Sequence, residues 1–261
     1  MCDRYTTPAL LAILCPARHG RGSAHEAAID SFAVAATRPS FVPALGFGAL
    51  TRLYDPVVRL TTRERTFKRR LLEQASIAPG ERVLDLGCGT GTLAVQAKRA
   101  QPGAEITGVD ADPEMLAPAR RKAEEAGVEI ALDEGLADAL PYPDASFDKV
   151  LSSLLFHHLP RETKAAAARE VVRVLKPGGE FHVADFGRAS DPLARAQFLF
   201  VQVFDGFENT ADNVRGELPA IFRSAGLANV RERGRLRVSA GSLSLYAGVR
   251  PAAPKPNRAS R

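Results

Sequence analysis

Residues Val83–Gly91 read V-L-D-L-G-C-G-T-G, an apolar run passing into a loop that spells D-x-G-x-G-x-G, with Asp85, Gly87, Gly89 and Gly91 at its fixed positions. Val83, Leu84 and Leu86 have the character of the end of a parallel strand buried on both faces. The glycines let the backbone turn tightly and let a ligand approach its amides. The spacing is not that of the dinucleotide fingerprint G-x-G-x-x-G, whose third glycine falls one residue later.

A glycine loop alone is weak, so a second ligand group is needed at the distance such a fold demands. After a predicted helix Thr92–Ala100 and the turn Gln101-Pro102-Gly103, Glu105–Asp110 reads as a second buried strand that ends in an acid. At the tip of the adjacent strand, Asp110 can accept hydrogen bonds from two ribose hydroxyls. Asp112-Pro113 then marks a helix start, the aspartate as N-cap and the proline in the first helical position.

Downstream, strand and helix keep alternating. Val128–Leu132, Phe147–Ser153 and Phe181–Asp185 are expected strands, with a helix over Glu162–Leu175, and this order predicts a parallel sheet covered by helices. Among these elements stand Gly108-VDADPEM-Leu116, Leu140-PYPDASF-Asp148, Leu155-FHH-Leu159 and Leu175-KPG-Gly179. With the glycine loop, these blocks in this order resemble the class I S-adenosylmethionine-dependent methyltransferases, in particular the group of ubiquinone/menaquinone-biosynthesis C-methyltransferases. The resemblance spans roughly residues 45 to 250. It implies an α/β fold: a Rossmann-like, seven-stranded, mainly parallel sheet with helices on both faces, in three α/β/α layers. Val230–Val238 and Ser242–Val249 would be its last strands, the seventh antiparallel to its neighbours.

The same resemblance implies S-adenosyl-L-methionine as cofactor. It places Asp85 and the backbone of Gly87, Cys88 and Gly89 around the methionine part, and Asp110 with Ala111 at the ribose. Many relatives carry an acid after the strand-three glycine, where this chain has Leu136 after Gly135. Adenine recognition would then rest on Leu136 and Ala137, with Asp133 or Asp138 as substitutes. Tyr54, in a Tyr-Asp pair that the relatives also carry ahead of strand one, is either a site residue or a packing residue.

Composition narrows the classes. The chain has 261 residues, 45% apolar and 25% charged, which suits one large globular domain. Cys2, Cys15 and Cys88 form no framework, so a reducing, cytoplasmic setting is expected, and Cys88 reads as a small packing residue. The paucity of thiols also speaks against arsenite methylation. Of the net charge of +5, the tail Arg250–Arg261 contributes four and Met1–Ser40 one, leaving the intervening chain neutral. That distribution offers no broad basic face for nucleic acid, and Ser152-SLL-Phe156 lacks the Asn/Asp-Pro-Pro-aromatic block of base methylation.

Domain organisation is expected as a disordered leader over 1–40, a methyltransferase domain over 41–250 and a disordered basic tail over 251–261. Within the domain, 41–76 would be an N-terminal helical cap and 190–225 a substrate-side insertion. The Pro8–Cys15 run is too short to span a membrane and lacks the basic start of a secretion signal. The basic segment 59–70 is either a solvated helix face or a point of peripheral attraction to anionic lipid or an acidic substrate. Asp191-Pro192 can start a helix that aligns Phe200, Phe204 and Phe207 on one face, as core or as acceptor wall. The polar stretch Asp205–Asn213 reads as a rim.

For an acceptor that must lose a proton, His157, His158 and Asp185 are the strand-tip candidates. His157 and Asp185 are the expected catalytic groups. No third donor follows the histidine pair at metal spacing, so no metal is expected. The function so read is methyl transfer to a small hydrophobic or aromatic acceptor such as a quinone, phenol or lipid. The alternatives are a cofactor-binding, non-catalytic regulator and an NAD(P)-dependent oxidoreductase.

Overall fold

The computed structural model describes residues 62–252. Tyr54, the leader over 1–40, most of the cap and the end of the tail lie outside the described residues.

Helix α1 (Glu64–Ala75) precedes β1 (Arg82–Leu86), α2 (Thr92–Ala100), β2 (Glu105–Asp110), α3 (Pro113–Ala126), β3 (Ala131–Glu134) and β4 (Phe147–Ser153). A 3-10 turn over Phe156–His158 follows, then α4 (Arg161–Val174), β5 (Leu175–Phe186), α5 (Pro192–Asp205), α6 (Phe207–Arg215), α7 (Leu218–Ser224), β6 (Ala228–Val238) and β7 (Gly241–Val249). The seven strands form one sheet in the order β3-β2-β1-β4-β5-β7-β6. The ladders from β3 to β5 are parallel, and β7 runs antiparallel between β5 and β6. The strand order reverses between β1 and β4, which leaves a crevice outside their carboxyl ends, where open α/β sheets bind ligands.

The central strands feed two cores by alternation. Leu84, Val150 and Val183 point to a cluster that includes Phe156, Phe181 and Phe222, while Val83, Leu151 and Ala184 point to one that includes Phe67, Leu71, Leu93 and Phe198. This two-faced burial is the reason these strands read as nearly continuous apolar runs.

Two strand boundaries and one surface reading shift. Strand three begins at Ala131, because the Val128 amide is still bonded to the Ala123 carbonyl as the chain leaves α3 and the ladder with β2 starts at Thr107 opposite Ala131. Strand five reaches back to Leu175, which pairs with Phe147 ahead of a register shift. In the segment expected to be uniformly basic surface, Lys68 is instead buried and paired with Glu64 at 2.6 Å, while Arg63, Arg65, Arg69 and Arg70 are exposed. Phe67, Leu71 and Ala75 hold α1 against the sheet. Among the described residues no helix is long and apolar enough to cross a membrane.

Candidate active site

The glycine loop is built as a tight cradle between strands. Gly87, Gly89 and Gly91 all have positive φ, at 68°, 53° and 71°. A side chain at Gly87 would meet Leu155 at 2.9 Å, and one at Gly91 would meet Ala119 at 2.9 Å, whereas nothing lies within 4 Å of a Cβ at Gly89. The loop is therefore pressed against the segment after β4 and against α3, and open at Gly89.

Its amides are already committed. Those of Gly87 and Cys88 donate to the Val109 carbonyl at 2.9 and 3.0 Å, and that of Gly89 donates to Asp110 Oδ2 at 2.7 Å. The loop is thus braced by β2 through all three amides. The Cys88 thiol faces β2, where a Cβ on Gly108 would come within 2.9 Å of its sulfur. Burial, helped by Asp85 and Asp110, pushes that thiol far above its ordinary range, so it is a packing group with no thiolate to offer.

Asp110 sits at the tip of β2 with Oδ1 accepting from the Asp112 amide at 3.0 Å and Oδ2 from Gly89. Burial holds its carboxyl above the ordinary value against these bonds. The acid is thus a brace for the loop and still has lone-pair positions for ligand hydroxyls. Ala111, the next residue, is half-buried between Asp110 and the Asp112 cap.

Asp85 is the most telling group. It is buried, and among the described residues neither carboxylate oxygen has a hydrogen-bond partner. Burial raises its pKa to about 7; the Lys68 ammonium and the Ala94 amide ease this without reaching hydrogen-bond geometry. An unsatisfied buried carboxylate is costly unless a cation or donor arrives. The ammonium of a bound amino acid moiety is such a partner, so the residues present fit S-adenosylmethionine.

Beyond β3, Leu136 is exposed and Ala137 half-buried, which leaves an apolar shelf at the tip of the strand. Asp133 accepts from the Tyr142 hydroxyl at 2.9 Å and is thereby engaged within the fold.

The 3-10 turn after β4 carries the histidine pair beside the loop, since Leu155 packs on Gly87. Asp185, fully buried at the end of β5, accepts from the Phe156 amide at 2.7 Å, the Phe186 amide at 2.7 Å, His157 Nδ1 at 2.8 Å and Asn213 Nδ2 at 3.2 Å. With its oxygens so occupied it ties the turn after β4, the His157 ring and α6 to the end of β5. His157 is buried, its Nε2 lying 3.7 Å from Asp205 Oδ2. His158 keeps 29% of its side chain exposed and places Nδ1 3.2 Å from Asp205 Oδ1. The two rings stack with centroids 3.9 Å apart. Burial draws the His157 imidazole down, but Asp185 outweighs it and holds the ring above its ordinary value; His158 is held below by partial burial and by the neighbouring His157.

The expected polar rim turns inward instead. Thr210, Asp212 and Asn213 are buried on α6, where Asp212 pairs with Lys164 and Arg161 of α4. The aromatic stripe of α5 also corrects the core reading. Phe200 and Phe204 are 70% and 65% exposed on α5, which buries Ala194, Phe198 and Gln202 instead, and Phe207, 57% exposed, falls beyond Gly206 as the first residue of α6 rather than on the same helix. Helical spacing tells which residues share a face but not which face is covered. Asp205 and its pairing with the histidines could not be found from local spacing, because 47 residues separate Asp205 from His158. A groove of about 290 Å³ between α2 and α3, lined by Thr92, Gln96, Arg99 and Lys122 among others, follows the helices rather than the strand tips.

A family profile described as a methyltransferase domain matches residues 83–179. A demethylmenaquinone methyltransferase of Thermus thermophilus is 41% identical over 142 residues, which is 54% of this chain and 64% of that protein, so the chain spans less than two thirds of that relative. The ubiquinone/menaquinone biosynthesis C-methyltransferase UbiE of Bordetella parapertussis is 31% identical over 71% of this chain and 77% of its own length. In fold, the chain matches phosphoethanolamine N-methyltransferase 2 of Haemonchus contortus with a TM-score of 0.62 over 80% of this chain and 58% of that one, at 16% identity. The chain belongs to the class I S-adenosylmethionine-dependent methyltransferases, among the homologues of the UbiE and demethylmenaquinone methyltransferases.

Proposed function

We propose that this protein transfers a methyl group to a small hydrophobic or aromatic acceptor of the quinol or phenol class. The observation that carries the reading is the pairing, at one end of the sheet, of an unsatisfied buried carboxylate at Asp85 with a buried histidine–aspartate cluster. The quinone-pathway names of the relatives support the acceptor class.

S-adenosylmethionine, when bound, supplies a methyl group made electrophilic by its sulfonium. Asp85 and the loop around Gly87, Cys88 and Gly89 would hold the amino acid part, Asp110 and Ala111 the ribose, and Leu136 and Ala137 the adenine. Tyr54 remains a candidate to cover it. The chain's main task is positioning, with the acceptor atom aligned at about 3 Å from the methyl carbon. Asp185 fixes the His157 ring through Nδ1, leaving Nε2 toward Asp205. His158, with an edge in solvent, is the member of the pair that an acceptor hydroxyl can reach, so the proton passes to the His158–Asp205 pair. Asp205 ends α5, and so Phe204 and Phe207, on either side of it in sequence, are carried toward this end of the sheet as apolar surface for the acceptor.

The test is product detection by mass spectrometry with demethylated naphthoquinol, benzoquinol, simple phenols and lipid amines as acceptors. A mass gain of one methyl on the quinols or phenols is expected, and methylation of the amines alone would overturn the acceptor class. Asp110→Ala should weaken S-adenosylmethionine binding in calorimetry by roughly 30- to 150-fold, about 2 to 3 kcal/mol for two charge-assisted hydrogen bonds. Unchanged affinity in a variant that melts like the parent would remove Asp110 from the site.

A further inference from the structure

We propose that His157 Nε2, His158 Nδ1 and an Asp205 carboxylate oxygen form a binding site for one divalent first-row transition-metal ion, beside the cradle for S-adenosylmethionine. Adjacent histidines alone are poor grounds for such a site, and the local sequence supplies no third donor. The fold supplies it from the last residue of α5, and the three ligand atoms lie within 4.8 Å of one another.

Two of the donor separations approach those of a loaded site. Donors about 2.0 to 2.2 Å from a tetrahedral ion stand roughly 3.3 Å apart. The observed separations from Asp205 are 3.2 Å to His158 and 3.7 Å to His157, one to each carboxylate oxygen. Small rotations of the Asp205 side chain would bring an oxygen into a common coordination sphere.

The second requirement of a histidine ligand is an outer partner that fixes its tautomer. Asp185 meets it: its carboxylate accepts from His157 Nδ1, which leaves the Nε2 lone pair facing Asp205. Asp185 is itself locked by the Phe156 and Phe186 amides and by Asn213. This carboxylate–histidine relay is stiffer than surface chemistry requires. Charge points the same way. Asp212 is balanced within α4 and α6 by Lys164 and Arg161, whereas Asp185 and Asp205 face imidazoles, so a dication would balance the two remaining carboxylates. Two imidazoles and one carboxylate suit Zn²⁺, Fe²⁺ or Mn²⁺ rather than Mg²⁺ or Ca²⁺, which prefer oxygen alone.

The solvent-exposed edge of His158 leaves the fourth position accessible, as in sites that keep one place for water or substrate. An ion there would acidify a hydroxyl bound to it and fix that hydroxyl next to the methyl donor, the proton then leaving to solvent because His158 and Asp205, as ligands, no longer accept it. This use of the ion rests on the methyl-transfer reading, but its binding does not.

The experiment titrates chelator-stripped full-length protein with Zn²⁺ and with Co²⁺. The parent, His158→Gln and Asp205→Asn proteins are compared, and thermal melts check each fold. One ion per chain at micromolar affinity or tighter is expected in the parent, weakened at least 10-fold in both variants. The Co²⁺ form should show ligand-field bands without the thiolate charge transfer that Cys2, Cys15 or Cys88 would give. If a variant fails to fold, X-ray absorption of the parent's Zn²⁺ form decides: imidazole and oxygen scattering alone supports the site, and sulfur in the first shell overturns it. Binding weaker than about 100 μM, or binding unchanged in Asp205→Asn, also overturns it. S-adenosylmethionine is titrated into the same samples. Its failure to bind while the ion still does would refute the methyl-transfer reading and leave the metal site standing.

Discussion

Asp85→Asn should make the ligand-free protein more stable above neutral pH while weakening S-adenosylmethionine binding about 100-fold. In the folded chain the Asp85 carboxyl has its pKa raised from 3.8 to about 7 by burial. Between those values the folded state holds a proton that the unfolded state has lost, so stability falls as pH rises through the window and levels off above about 7. The full shift corresponds to about 4 kcal/mol at most, with roughly 2 to 3 kcal/mol of it accruing between pH 5 and pH 8. Asparagine keeps the shape and cannot ionise, though its own unpaired amide carries a cost of about 1 to 3 kcal/mol. The measurable quantity is therefore the change in the gap between variant and parent: urea unfolding at the two pH values should show it widen by about 2 kcal/mol in favour of the variant. A gap that stays constant would mean Asp85 is ionised and partnered without ligand. Cofactor binding to the parent near pH 7 should release about half a proton per chain, seen as a dependence of the binding heat on buffer ionisation enthalpy, and the variant should lack this contribution. Above neutral pH this residue imposes on the ligand-free fold an unfavourable charge that a ligand ammonium would relieve, which is how a buried group can be costly to the fold and still serve binding.

The sheet was legible because its signals are local and two-faced. Val83 to Leu86, Glu105 to Asp110 and Phe147 to Ser153 are strands as read, since burial on both sides leaves few polar interruptions to mislead. The helix caps at Asp112 and Asp191 were equally plain: each aspartate accepts an amide of the first turn, with proline next to it. Strand three was displaced because Val128 to Ile130 has strand-like composition but is still leaving a helix. The site divides along the same line. Asp85 and Asp110 stand in or near the loop that announces them. By contrast, the commitment of the Gly87 to Gly89 amides, the hub at Asp185 and the arrival of Asp205 are all tertiary events. Partners 21 to 48 residues apart meet there only through the order of strands and the path of α5. The exposed face of α5 shows the same limit, for periodicity gives the stripe its membership and tertiary packing decides whether it is covered.

Asp185→Ala should unfold the protein far more readily than it should alter the chemistry. Removing this carboxylate leaves two backbone amides and the His157 ring without an acceptor in a dry interior, while the Asn213 amide keeps only the Phe186 carbonyl. Leaving buried donors unpaired and a buried imidazole without its counterion costs about 3 to 5 kcal/mol, which lowers Tm by roughly 6 to 20 °C for a domain of this size. Asp185→Asn is the finer probe. Its carbonyl can stand in for Oδ1 toward His157, Phe186 and Asn213, but its amide then confronts the Phe156 N–H, so a smaller loss of stability is expected. In both variants the His157 imidazole loses the anion that holds it above its ordinary value, and burial acts less opposed, so its pKa should fall in an NMR titration. A proton acceptor at Asp185 predicts the reverse pattern, in which asparagine preserves Tm and abolishes turnover at every pH. Residual turnover at low temperature, together with a fallen Tm and a fallen His157 pKa, would establish Asp185 as a positioning residue whose effect on the reaction passes through His157.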